Sequence, residues 1–343
     1  MAEIFWDSWI DAHADETIGN LFNAILLKKE SAFPDQIIVP EFNENEKIVL
    51  TTHIPSSFTL EENKTLMYIM SRVNDLIPDS CQKTLLISSG NQDISEIWKK
   101  TFSFSKFLSE DVYIEIKKPV KEFSPFSTVQ PKPDYLSNWY LPLEVDSADQ
   151  LIPIIPFKPS SPFQVLGVIS SFFWFLPTKI KNEILIQKTP EKRVIAFMEI
   201  ASQILPKITL SGILYQGTKN FAVFGNDPAS VDAFASALMS VKASSVETTK
   251  YCRKHKIGMG DLLKIHVQGE RFKKPIVRDN EIIKNKFELY FDPALCNLCK
   301  MCIESCPLQA IFTKDKQLFY VKSNCVQCGF CFSICPQKSI KKI

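Results

Sequence analysis

The sequence predicts a layered α/β domain over residues 1–285 followed by a small α+β domain over residues 286–343. Three observations carry that prediction. Segments with strand, helix and strand patterns follow one another through the first part, the order a layered α/β sheet requires. Cysteine is scarce there, with only Cys81 and Cys252, and then occurs eight times between Cys296 and Cys335. Within that cysteine-rich stretch, "IFTKDKQLFYV" alternates apolar and charged residues around a turn at Lys314–Lys316, the signature of a hairpin.

Taken in order, "ETIGNLFNAILLKKE" puts Ile18, Leu21, Phe22, Ile25 and Leu26 on one face of a helix. "IVLTTHI" (Ile48–Ile54) is a strand. "TLEENKTLMYIMSRVNDLIP" opens on Thr59 and Glu62 as a capping box, keeps Leu66, Ile69, Met70 and Val73 on one stripe, and stops at Pro78. "TLLISS" (Thr84–Ser89) and "VYIEI" (Val112–Ile116) are further strands, while the proline-rich Glu122–Val145 is a loop or an excursion from the sheet. "LIPIIPF" (Leu151–Phe157), "ITLSGILYQG" and "NFAVFGN" read as strands, and a helix runs from Pro190 to near Pro206. In "NDPASVDAFASALMS", Asp227 suits the N-cap and Pro228 the first helical position, with Val231, Phe234, Ala235 and Leu238 facing inward. "SSVETTKYCRKHKIG" is a helix closed by Gly258.

The composition excludes several function classes. Apolar residues at 45% and charged residues at 23% suit a soluble globular chain, and a net charge of +2 gives no field for nucleic acid. The longest apolar stretch, Phe163–Pro177, is shorter than the roughly 20 residues of a membrane-spanning helix. The acidic "MAEIFWDSWIDAHADE" lacks the basic and apolar regions of a secretory signal. The expectation is a cytoplasmic protein whose cysteines remain thiols for metal rather than disulfides.

The cysteine block reads C-x2-C-x2-C-x3-C-P twice: Cys296, Cys299, Cys302 and Cys306 recur 29 residues later as Cys325, Cys328, Cys331 and Cys335. Three thiolates from one tight loop can grip three corners of a four-iron cube. The chain then leaves the loop, so the fourth faces a second cluster. The expected cofactors are two [4Fe-4S] clusters with crossed ligand sets, Cys296, Cys299, Cys302 and Cys335 on one and Cys325, Cys328, Cys331 and Cys306 on the other. Pro307 and Pro336 are placed to open short helices over "PLQAI" and "PQKSI". The alternative is a pair of zinc sites, but structural zinc draws two cysteines from each of two separated loops. From Tyr290 to Ile343 seven lysines face three acids, enough to offset most of the charge of two thiolate-ligated clusters.

From about Tyr290 to Ile340, with all eight ligand positions filled, the chain resembles the bacterial two-cluster ferredoxins. A second resemblance lies upstream. "AVFGNDPASVDAFASALMS", "GMGDLLKIHVQGE", "EKIVLTTHIPSS", "LIPIIPFKPSS" and "FFWFLPTKIKNE" resemble the domain of unknown function three-six-two, over Glu46 to Glu270. That family often carries a ferredoxin pair. Asp227, Pro228, Asp232 and Gly269 are kept. Relatives tend to have a lysine just before the position of His53, where this chain has Thr51. They have a histidine at Ser160 and a Lys-Asn pair where Ser170 and Ser171 stand. The resemblance implies architecture more than chemistry.

No H-E-x-x-H, G-x-S-x-G, P-loop or dinucleotide fingerprint is present, and ten glycines leave little for a phosphate cradle. Among catalytic candidates, His53 lies at the C-terminal end of a strand, where open α/β sheets gather ligands. Its alternative is a hydrogen-bonded loop histidine. Lys158, between two prolines, reads as a site residue or a snorkelling surface lysine. Asp227 reads first as a cap, and Asp232 shares its cleft or stays solvated. "FFWF" (Phe172–Phe175) reads most simply as core, with an apolar pocket or a partner surface as the alternative. The expected function is electron transfer within an oxidoreductase system, served by a redox partner protein. The alternatives are a non-catalytic adaptor that docks such a partner and a reductase for a hydrophobic substrate.

Overall fold

The computed structural model describes residues 3–9, 40–54, 60–89, 105–109, 123–125, 140–160, 163–187, 189–216, 220–269, 288–304, 306, 309–322, 324–325, 331 and 335–342. The helix expected over 16–30, the strand expected over 112–116 and Thr59 lie outside the described residues.

The strands are β1 (Glu3–Trp9), β2 (Lys47–Ile54), β3 (Gln82–Ser89), β4 (Ser105–Ser109), β5 (Phe123–Pro125), β6 (Tyr140–Pro142), β7 (Gln150–Pro156), β8 (Lys158–Ser160), β9 (Gln164–Leu166), β10 (Ser211–Tyr215), β11 (Asn220–Gly225), β12 (His266–Gly269), β13 (Leu289–Phe291), β14 (Ile311–Lys314), β15 (Gln317–Tyr320) and β16 (Ile340–Lys342). Eight of them form one sheet in the order β12-β1-β11-β10-β7-β2-β3-β4. The half holding β7, β2, β3 and β4 is parallel, as is the β10–β7 junction, whereas β10–β11 and β1–β11 are antiparallel. The N-terminal region is thus a mixed α/β layer with a largely parallel sheet. β1 is an unexpected member. Its alternating "EIFWDSW" gains strand identity only from two distant partners, β11 and β12.

Both sheet faces are covered, which is why β2 and β7 read as near-continuous apolar runs. α1 (Leu60–Leu76) follows β2 and packs Leu66, Ile69, Met70 and Val73 on Ile48, Leu50, Leu85, Ile87 and Ile152. The four residues are the stripe that a period of 3.6 places on one face. The opposite face holds Val49, Leu86, Leu151, Ile213 and Val223. It is covered by the short α2 (Leu143–Asp146) and α3 (Val168–Ser171), a 3-10 turn over Phe172–Phe175, α4 (Thr178–Leu185), α5 (Pro190–Ile204), α6 (Pro228–Leu238) and α7 (Glu247–His255). The alternation of Ile48 and Leu50 with Val49 between the two cores is the period of two that a strand imposes. The Glu122–Val145 excursion carries the ribbon β5–β6 and leads into α2.

Two helix ends refine the sequence reading. α6 begins as expected, with Asp227 as N-cap and Pro228 at the first position. α7 ends not on Gly258 but on Lys256, in the left-handed region at φ 58°. Gly258 serves a different need. A Cβ there would stand 2.6 Å from the Ala229 Cβ, so the absence of a side chain lets this turn close on the start of α6.

Candidate metal centre

The C-terminal segment is built from two small ribbons. β13 pairs antiparallel with β16, Tyr290 opposite Lys341. β14 and β15 form the expected hairpin, with Asp315 and Lys316 both at positive φ in its two-residue turn, the backbone that matches strand twist. Among the described residues, their inner face holds Leu289, Ile311, Leu318 and Ile340, completed by Cys302 and Cys331. Cys296, Cys306, Cys325 and Cys335 pack against this cluster half-buried, while Cys299 is exposed. Cys328 lies outside the described residues.

The first cysteine loop is tightly coiled. Leu298 and Lys300 sit between its three cysteines at φ 57° and 64°. Bulky residues in this region cost energy and persist only where surrounding structure holds them. The Cys296 N–H donates to the Asp292 carbonyl at 3.0 Å and the Cys299 N–H to Asn297 Oδ1 at 3.2 Å. α8 (Met301–Glu304) then carries Cys302 inward. Burial pushes the Cys302 thiol up to about 11, and the thiolates of Cys335, Cys299 and Cys296 push the same way. Sulfurs that hinder one another's ionisation become favourable donors once a positive centre lies among them, because thiolates are the ligands that iron–sulfur groups take. All described cysteines are free thiols, so the donor set fits. Among the described residues no three His, Cys, Asp or Glu side chains close on a single-ion site.

The Cys335-Pro336 segment does not form the helix expected of it: it folds as a tight turn, with the Lys338 N–H donating to the Cys335 carbonyl at 3.1 Å. Pro307 and Leu308, where the first helix was expected to begin, lie outside the described residues; beyond them the Gln309 N–H donates to the Cys306 carbonyl at 3.0 Å. Gln309 and Lys338, 29 positions apart, are both at positive φ. This bend points the next N–H back at sulfur, Ala310 to Cys306 Sγ at 3.2 Å and Ser339 to Cys335 Sγ at 3.4 Å. The helix expected after Cys335 fails because a hydrogen bond to the thiol and entry into β16 are satisfied only by leaving helical geometry at once. Burial opposes the Cys335 thiolate, but donors at Ser339, Gln337 and Ile340 outweigh it and leave this thiol below its usual range.

The catalytic candidates fall into two unlinked groups among the described residues. His53 ends β2 and is buried, its ring stacked on Trp174 at 4.6 Å and 4°. The Ser88 hydroxyl donates to the Trp174 carbonyl at 3.3 Å and lies 3.3 Å from His53 Nδ1. With its proton so used, Ser88 accepts from Nδ1–H, which fixes the tautomer. Burial lowers the His53 pKa well below 6.5, and the Lys181 ammonium lowers it further. Lys181 is itself buried, its Nζ 5.5 Å from the Trp174 ring centre. Lys158 opens β8, opposite Leu166.

Asp227 and Asp232 are committed to backbone donors. Asp227 Oδ1 accepts from the Ala229 and Ser230 N–H groups at 2.8 and 3.1 Å, and Oδ2 accepts from Met259 N–H at 2.7 Å. Asp232 is buried rather than solvated, and accepts from Val168 and Ile169 N–H at 2.6 and 3.1 Å at the start of α3. Burial raises it to about 7, against these two hydrogen bonds and with help from the Asp227 charge. Ser170 and Ser171 close the same turn, donating to the Val165 and Val168 carbonyls at 2.8 and 2.7 Å. Cys81 and Cys252 are buried, and burial followed by the Asp232 and Asp227 charges pushes the Cys252 thiol up. Lys181 and Ser88 went unremarked as site residues, and Trp174 was read only as part of the apolar "FFWF" run, because nothing local marks them. Only the pairing of His53 with Ser88 across β2 and β3 collects them.

Residues 288–336 match the family model of the 4Fe-4S dicluster domain. The C-terminal segment is therefore a ferredoxin-like iron–sulfur domain. None of the curated proteins matches the chain. Among solved structures, the lactate racemase apoprotein from Thermoanaerobacterium thermosaccharolyticum is similar at 11% identity and a TM-score of 0.38, over 51% of this chain and 44% of that one. A protein from Thermotoga maritima is similar at 13% identity and a TM-score of 0.37, over 59% of this chain and 50% of that one. The chain thus spans half or less of either structure's length. Among the described residues no helix is long and apolar enough to cross a membrane.

Proposed function

We propose that this chain is the electron-relaying component of an oxidoreductase system. It holds two [4Fe-4S] clusters by crossed ligation, Cys296, Cys299, Cys302 and Cys335 for one and Cys325, Cys328, Cys331 and Cys306 for the other. A bound cluster of this kind supplies one-electron storage. The protein's part is to hold the sulfurs, to donate N–H groups to them and to keep water from the inner ones, with Cys302 and Cys331 buried. The observation that carries the reading is the doubled cysteine spacing, whose described sulfurs from both halves pack on one cluster: Cys302 and Cys331 buried in it, Cys296, Cys306, Cys325 and Cys335 against it. Electrons would pass between an external low-potential donor and a centre on, or docked to, the α/β region, which we propose to be a relative of the domain of unknown function three-six-two. Covalent attachment would keep the carrier at high effective concentration beside that centre.

Anaerobic reconstitution should give about eight irons per chain and the optical and EPR signals of reduced [4Fe-4S] groups after dithionite. Cys296→Ala and Cys335→Ala should abolish the same signal, and Cys306→Ala the other. Loss of the same signal by Cys335→Ala and Cys331→Ala would refute the crossing. A zinc-loaded, colourless preparation would refute the redox reading altogether.

A further inference from the structure

The two cysteine halves are twins in spacing, and among the described residues Gln309 and Lys338 take matching positive φ after the last cysteine of each. The residues that follow differ in their chemistry toward sulfur. Four residues after the last cysteine of each half stand Ala310 and Ser339, both 1% exposed. Each gives its N–H to the sulfur behind it, Cys306 or Cys335. Ser339 adds a second group, its Oγ 3.2 Å from Cys335 Sγ. Either atom can donate between a free thiol and a hydroxyl. Once Cys335 is a metal-bound thiolate it has no proton, so the hydroxyl must be the donor. Nothing else competes for that hydroxyl among the described residues. The Ser339 carbonyl is meanwhile fixed by the Asp292 N–H at 2.7 Å, so the residue is anchored where its side chain faces sulfur.

We infer that Ser339 sets the two redox centres apart: its hydroxyl gives the centre held by Cys335 a sulfur hydrogen bond that Ala310, its counterpart beside Cys306, cannot supply. Electrons taken up by the pair therefore come to rest on the Cys335 side. The inference rests on the reading that Cys306 and Cys335 ligate different clusters, and it goes beyond that reading by assigning an order to them. The physical reason is charge. Accepting one electron from an external donor, with no bond formed or broken, adds one negative charge to an already anionic group. A donor hydrogen bond to ligand sulfur stabilises the more negative state and raises the potential. A buried site strengthens the effect because water competes little there. Ser339 touches a ligand rather than iron, so it is a positioning residue whose mark is a potential.

The test uses the full chain, reconstituted without oxygen, its iron counted, and titrated with dithionite under EPR. Two separate midpoints are expected. Ser339→Ala should lower the higher midpoint and leave the other in place, and Ala310→Ser should raise the lower one. The reduced wild-type protein should also show an exchangeable proton coupled to one cluster in ENDOR spectra taken in H2O and D2O, lost in S339A. That readout serves if A310S fails to assemble. At an iron content of about eight, coincident wild-type midpoints, or an S339A protein with both midpoints unmoved or equally lowered, overturn the inference alone. Fewer than about six irons in the wild type overturns the two-cluster reading and the inference with it.

Discussion

At the scale of single residues, His53 and Asp232 have opposite consequences for stability. The folded state holds His53 neutral, while an unfolded chain protonates it near 6.5, so its contribution is lost as the pH falls below that value. Asp232 keeps its proton to about 7 in the folded state, while the unfolded carboxyl releases it near 3.8. Between those values the native state binds more protons, and stability falls as the pH rises. The shift corresponds to at most about 4 kcal/mol. In the wild type the two dependences have opposite sign just below pH 6.5. Urea unfolding followed by tryptophan fluorescence should separate them. Asp232→Asn should gain stability with rising pH more steeply than wild type, and His53→Gln should lose it. Parallel curves for all three proteins would show that neither group titrates as its surroundings require. The tautomer of His53 is independently checkable, since its 15N shifts should report a proton on Nδ1.

At the scale of elements, the start of α3 is the most exacting junction. A Cβ on Gly167 would stand 2.4 Å from Asp232 Oδ1, the atom that accepts from Val168 N–H. Gly167→Ala should therefore displace the carboxylate and cost about 1–3 kcal/mol through the unpaired buried donors. In α1, Met70→Ala opens a cavity beneath the sheet and should cost about 2–5 kcal/mol. A midpoint within error of wild type for either variant would contradict these contacts. α1 and the β14–β15 hairpin were legible because their signals are local: a stripe of period 3.6 in one, alternation about a turn in the other. β1 was not, since "EIFWDSW" is defined by partners far along the chain. The second oxygen of Asp227 was hidden for the same reason. Its cap role follows from the neighbouring sequence, but its bond to Met259 depends on how the turn after α7 folds back.

At the scale of the whole molecule, two kinds of core are present. The sheet is covered on both faces by large aliphatic and aromatic clusters. Among the described residues, the C-terminal cluster joins four buried aliphatic side chains to two buried cysteines. Because cysteines form part of this core, metal binding there adds to folding stability. Stripping iron with chelator and oxidant should erase hydrogen-exchange protection over 288–342 while residues of β2, β3 and β7 keep theirs. Equal loss in both would mean that they fold as one unit. The eight cysteines were legible because spacing alone determines which thiols share a loop. The role of Ser339 was not, because an isolated serine in a sequence carries no sign of the sulfur it will meet. One consequence reaches back to β1, which fits between β11 and β12. A ribosome releases this strand well before β11 and β12, so it waits without its partners until they emerge. The nascent chain is in that interval open to mispairing, and chaperone demand should fall sharply once the β12 segment clears the exit tunnel.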